Sequence, residues 1–89
     1  MKSRTTRQFR QLLAELPQPV RREARSAYRQ FRNNPRHPGL QFKKVHQALP
    51  VYSARVSGDY RVVGVLTGDT IVWFFIGSHA DYDRLLRTL

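Results

Sequence analysis

Cysteine is absent from the 89 residues. Its absence excludes disulfides, Cys-ligated zinc, iron–sulfur clusters and thiol nucleophiles. It also fits a reducing compartment, and a cytoplasmic protein is expected. Long apolar runs are lacking as well. The longest, Ile71 to Ile76, has six residues, whereas a membrane helix needs roughly 18 or more. The first ten residues are polar and basic with no apolar stretch, so no secretory signal is expected. Acidic side chains are scarce, 6 Asp+Glu against 16 Lys+Arg. There is no Gly-rich phosphate loop, no H-E-x-x-H and no nucleophile elbow. His37, His46 and His79 are too scattered for a metal site, and a carboxylate-metal nuclease is disfavoured by so few acids. Neither a metal nor a cofactor is expected.

What remains is a globular composition, 40% apolar and 25% charged, in a chain long enough for one domain over 1–89 with a thin core. Its charge is one-sided. Residues 1–46 hold 12 basic and 2 acidic side chains, and residues 47–89 hold four of each, so the whole net charge of +10 lies in the first half. Such a field steers a protein toward polyanions: RNA, DNA, an acidic protein or an anionic surface. The plainer alternative is an ordinary solvated basic face.

Periodicity divides the chain. Thr5 and Gln8 have capping-box spacing, and Phe9, Leu12, Leu13 and Leu16 follow as one helical stripe ended by Pro17. In a second helix Val20, Ala24, Ala27, Tyr28 and Phe31 make the apolar stripe, with Arg21, Arg22, Arg25, Arg29 and Arg32 over the rest of its surface. The link between them is short enough to predict a helical hairpin. Residues 34–40 form a Pro- and Gly-containing loop. From Gln41 the period drops to two. Strands are expected over 41–45, 51–57 and 60–66, with turns at 57–59 and 67–69. Ile71 to Ile76 is apolar on both faces and reads as a central strand. Trp73 and Phe75 are expected on one face and Phe74 on the other, all in the core. Ser78 and Asp81 mark the start of a last short helix carrying Tyr82, Leu85, Leu86 and Leu89. The sum is an α+β fold: an N-terminal helical hairpin packed on a three- to four-stranded antiparallel sheet, then a short C-terminal helix.

Few residues invite chemistry. Arg61 follows a hairpin turn on the face opposite Tyr60, Val62 and Leu66. It can hold a phosphate by a bidentate fork, or lie in solvent, or pair with Asp59 or Asp69. His79 sits where the central strand meets a helix N-terminus, and can pass protons near neutral pH or simply cap the turn. Lys43 and Lys44 point to opposite faces, so at most one reaches a given site. Asp81 either orients His79 or caps the helix. Tyr82 either stacks on a base or anchors the helix among its Leu neighbours.

A helical hairpin followed by LQFKKVH (Leu40–His46), YSARV (Tyr52–Val56), DYRVV (Asp59–Val63) and IGSHADYDRLL (Ile76–Leu86) resembles the RelE/ParE superfamily of bacterial type II toxins, from about Phe9 to Leu86. The resemblance implies a small basic toxin neutralised by an acidic or DNA-binding antitoxin. RelE-like members cleave mRNA in the ribosomal A site without a metal. ParE-like members poison DNA gyrase, so the alternative is a gyrase inhibitor or a non-catalytic antitoxin-binding module. By resemblance, Arg61 matches the strand Arg used on the scissile phosphate, and His79 the catalytic His of YafQ-like members. Lys43 and Lys44 match a basic substrate-binding strand. Tyr82 lies near a C-terminal Tyr, and His46 and Asp81 are accessory candidates. The Arg-rich second helix would dock on ribosomal RNA or on the antitoxin. Residues 1–4 leave little room for the strand with which the family usually opens.

Overall fold

The computed structural model describes all 89 residues. Five strands form one sheet: β1 (Lys2–Thr5), β2 (Lys43–Lys44), β3 (Val51–Arg55), β4 (Tyr60–Thr67) and β5 (Thr70–Ser78), in the order β1-β5-β4-β3-β2. Three helices accompany them: α1 (Arg7–Ala14), α2 (Gln18–Asn33) and α3 (His79–Thr88), with a 3-10 turn at Pro38–Leu40. The α+β reading, both hairpin turns, the 71–76 strand and the C-terminal helix agree with the sequence analysis.

Strands β3, β4 and β5 form an antiparallel meander. The β4–β5 link turns on Gly68, whose φ of +61° is a conformation glycine adopts at no steric cost. Alternation along β3 sends Tyr52 and Ala54 to one face and Val51, Ser53 and Arg55 to the other. Helices α1 and α2 close over the first face. Phe9, Phe31, Leu40, Ala54, Val62, Ile71, Trp73 and Ile76 are buried there. Phe31 sets its ring edge-on to Trp73 and Phe42, at centroid distances of 5.4 and 5.1 Å, a favoured aromatic geometry. Helix α3 covers part of the second face, packing Tyr82, Leu85 and Leu86 against Val51, Val63 and Phe75.

Four expectations need correction. The sheet has five strands, and it is mixed, because β1 runs parallel to β5. Lys2-Ser3-Arg4-Thr5 has no apolar alternation. Backbone bonds hold it at the edge, Lys2 N to Asp69 O at 2.8 Å and Thr6 N to Trp73 O at 2.9 Å, together with the Trp73 indole N–H donating to Ser3 Oγ. The helix cap is therefore Thr6, whose hydroxyl accepts from Phe9 N at 3.1 Å, while Thr5 ends β1. The strand expected over 41–45 shrinks to two residues.

The fourth correction concerns β5. The pairing passes from Val63↔Phe75 directly to Gly64↔Trp73, so Phe74 is a bulged extra residue. The bulge puts Trp73 in the first-face core and both Phe74 and Phe75 against the second-face core. Gly64 is required beside it: a Cβ there would lie 2.8 Å from Trp73 Cε3 and 2.9 Å from Val72 O.

Candidate functional site

Helix α3 has ten residues, roughly 15 Å of length, and it does not cover the whole second face. At the end where α3 begins, the sheet's second face lines a cleft of about 260 Å³. Arg55 and Arg61 are its floor. They stand directly opposite each other in the β3–β4 pairing, and like charges so placed repel. No carboxylate offsets them. Of the nearby carboxylates, Asp83 faces the His79 ring and Asp81 pairs with Arg84. Arg61 Nη1 instead donates to backbone carbonyls of the adjacent turn, Ser57 O at 2.8 Å and Tyr60 O at 3.0 Å. That anchors one arm of the guanidinium, while its Nη2 and Nε make no bond within the chain. Two facing guanidiniums without an acid form a receptor for a polyoxygen anion such as phosphate.

One wall comes from α3. Ser78 caps the helix by accepting from Asp81 N at 3.2 Å, and His79 N donates to Asp59 O at 2.6 Å. The helix start is thereby tied to the β3–β4 turn that holds Arg61. The His79 ring lies edge-on to Tyr82, 5.6 Å between centroids. Its Nδ1 is 3.2 Å from Asp83 Oδ2. A carboxylate there favours the tautomer protonated at Nδ1, which leaves Nε2 as the acceptor. Tyr82 lines the cleft and is also buried, its hydroxyl bonded to that of Ser53 at 3.2 Å. Ser53, at 2% exposure, is the buried polar side chain of the chain. This hydroxyl pair satisfies both groups and pins α3 to β3.

The opposite wall holds Lys43, which pairs with Ser53 across β2–β3, and Gln41. Thus Arg61, His79, Lys43 and Tyr82 meet around one cleft. The other sequence candidates lie elsewhere. Lys44 faces away, its ammonium 3.4 Å from Gln47 O. His46 folds onto its own turn, where Nδ1 accepts from Ala48 N and Leu49 N, at 3.1 and 2.9 Å. Asp81 pairs with Arg84 through its carboxylate, so the acid beside His79 is Asp83 instead. Arg21, Arg22, Arg25, Arg29 and Arg32 belong to α2, on the first face. There Arg25 and Arg29 rim a larger, mainly apolar groove of about 490 Å³. No histidine or carboxylate lines that groove, whereas His79 lines the smaller cleft.

Arg55, Ser53, Gln41 and Asp83 were not among the sequence candidates. Two of them left a signal. Arg55 lies as far before Gly58 as Arg61 lies after it, so a tight hairpin sets them side by side. Asp83 is four residues from His79, one helical turn.

Fold and cleft together define a small basic α+β protein with an open cationic site on one sheet face. The description "ParE-like toxin domain" matches residues 18–84, and the chain belongs to that family. A search of the curated proteins finds no match. Among solved structures, a chain of the RelB–RelE antitoxin–toxin complex from Methanococcus jannaschii superposes with a TM-score of 0.73 at 22% identity, covering 91% of this chain and 96% of that one. YafQ from E. coli strain BL21(DE3) gives 0.72 at 14% identity, with 91% and 96% covered. The YoeB/ParE toxin from Agrobacterium tumefaciens gives 0.69 at 13% identity, with 89% and 99% covered. No helix of the chain is long and apolar enough to cross a membrane.

Proposed function

We propose that this ParE-like domain is the toxin of a cytoplasmic toxin–antitoxin pair and cuts messenger RNA on the ribosome. The observation that carries the reading is the facing pair Arg55 and Arg61, with no acidic partner, in one cleft with His79. The RNA 2′-oxygen attacks the adjacent phosphorus, and the bond to the 5′-oxygen breaks. The products are a 2′,3′-cyclic phosphate and a 5′-hydroxyl, and no protein nucleophile or metal enters. The protein must hold the linkage in line, neutralise the phosphoryl oxygens and move protons. Arg55 and Arg61 bind the phosphoryl oxygens. Lys43 holds the neighbouring backbone. His79, its Nδ1 side held by Asp83, accepts the 2′-hydroxyl proton or returns one to the 5′-oxygen. Tyr82 packs against the imidazole and fixes its plane.

Several matched structures are complexes with antitoxins, RelB or DinJ, and an acidic or DNA-binding antitoxin is the partner proposed here. The arginines of α2 supply a docking face for ribosomal RNA or that antitoxin. The experiment is cleavage of a translated message by the pure protein. Arg61→Ala and His79→Ala are each expected to slow it by roughly 10²-fold or more. Full cleavage by both variants overturns the assignment.

The family's ParE-like character favours one second reading, inhibition of DNA gyrase. That activity needs no proton transfer, so a supercoiling assay in which His79→Ala inhibits as well as wild type would select it.

A further inference from the structure

Gln41 is the chain's one non-glycine residue with a positive φ, +47°. This left-handed conformation crowds a Cβ, and Gly, Asn and Asp are the residues that usually occupy it. The turn itself is needed. It ends the Pro38–Leu40 turn, leaves Leu40 buried at 2% exposure in the first-face core, and starts β2 with Lys43 toward the cleft. Glycine would make the same turn without crowding. The Gln41 side chain is exposed and makes no hydrogen bond within the chain, so it contributes nothing local in return. A strained backbone that carries a free polar side chain into a site points to use by a ligand.

Position indicates which ligand group. Lys43 pairs with Ser53, and Gln41, two residues before it, lines the same cleft as Arg55. Arg55 is opposite Arg61, and Arg61 is opposite Gly77, two residues before His79. A row therefore crosses the sheet from Arg55 to Gly77 over two inter-strand steps of roughly 4.8 Å each, with Gln41 beyond its Arg55 end on the opposite wall of the cleft. Guanidiniums fill its middle and the imidazole stands at one end. At the other end is an uncharged amide, with a carbonyl acceptor and an NH₂ donor side by side. That pair is a poor phosphate holder. It complements the N6/N7 edge of adenine, which a Gln side chain can bond twice.

We propose that Gln41 reads a base adjoining the scissile phosphate and favours adenine there. The inference rests on the RNA-cleavage reading of the cleft. Gln41 takes no part in proton transfer; it sets specificity. The test uses two sets of translated messages, each varying one neighbour of the cleaved linkage through all four bases, with cut rates mapped by primer extension. Wild type is expected to favour adenine by roughly tenfold at one of the two positions. Gln41→Gly should cut all four alike, with a thermal melt showing it folded. Gln41→Glu keeps the length but replaces the donor with an acceptor, and should shift preference to cytosine. Equal cutting of all four by wild type at both positions, or a preference unchanged in Gln41→Gly, overturns base reading and leaves the cleavage proposal standing. Failure to cut any message overturns the cleavage reading, and base reading with it.

Discussion

The two faces of the sheet follow the same alternation and differ in what covers them. The first face is apolar from Phe9 to Trp73 and is closed by α1 and α2. The second is apolar only under α3, where Val51, Val63 and Tyr82 pack, and at its open end it carries Arg55, Arg61 and Lys43. The comparison separates the apolar packing that holds the domain together from the charge left open to solvent. Buried apolar area on the first face holds the domain together. The cationic end of the second face adds like-charge repulsion that the folded state must absorb. A surface that costs stability without an internal partner is one a ligand can relieve.

Substitutions on the two faces should therefore have opposite signatures. The largest stability effect is expected on the first face. Phe31→Ala removes a ring at 3% exposure that touches Trp73 and Phe42, and should lower unfolding free energy by about 3–5 kcal/mol in a denaturant titration. A loss under 1 kcal/mol would show that this face is not the structural one. On the second face, His79→Ala should slow message cleavage by roughly 10²–10⁴-fold with little change in the melt. A melting point that falls in step with activity would merge the two faces and remove the contrast.

Tyr82→Phe tests the seam within the second face, where the packing under α3 meets the cationic cleft. It leaves the buried Ser53 hydroxyl without its partner, and about 1–3 kcal/mol should be lost. The double change with Ser53→Ala should cost less than the single, because both polar groups are then gone. The smallest effect is expected for Arg55→Ala. Removing one of two facing guanidiniums should raise stability by a few tenths of a kcal/mol, about the size of a cross-strand pair, at low salt and less so at high salt, while cleavage falls. A destabilised Arg55→Ala would mean that the pair is held together by contacts within the fold.

Much of this was legible in the sequence. Turn residues at Ser57-Gly58-Asp59 and Gly68-Asp69, with period-two alternation between them, placed Arg61 on the face away from Val62. The Ser78 cap and the Leu spacing after it placed α3 and started it at His79. Other features left no local trace. Strand β1 shows no amphipathic pattern because its edge position asks only for backbone bonds. The bulge at Phe74 reverses the expected partner of Trp73, since one extra residue flips every side chain beyond it. Lys43 and Lys44 are equivalent in composition, and only the β2–β3 register distinguishes the one that reaches the cleft.

The amino-acid sequence by itself determined the kinds of element, the two tight turns, the concentration of positive charge in the first half and the face on which Arg61 lies. These follow from covalent geometry acting over a few residues. The tertiary structure decided that His79 shares one cleft with Arg55 and Arg61, and that Ser3 receives the Trp73 indole N–H from 70 residues away. Those pairings depend on hydrogen bonds and packing between segments far apart in the chain, and no local pattern encodes them.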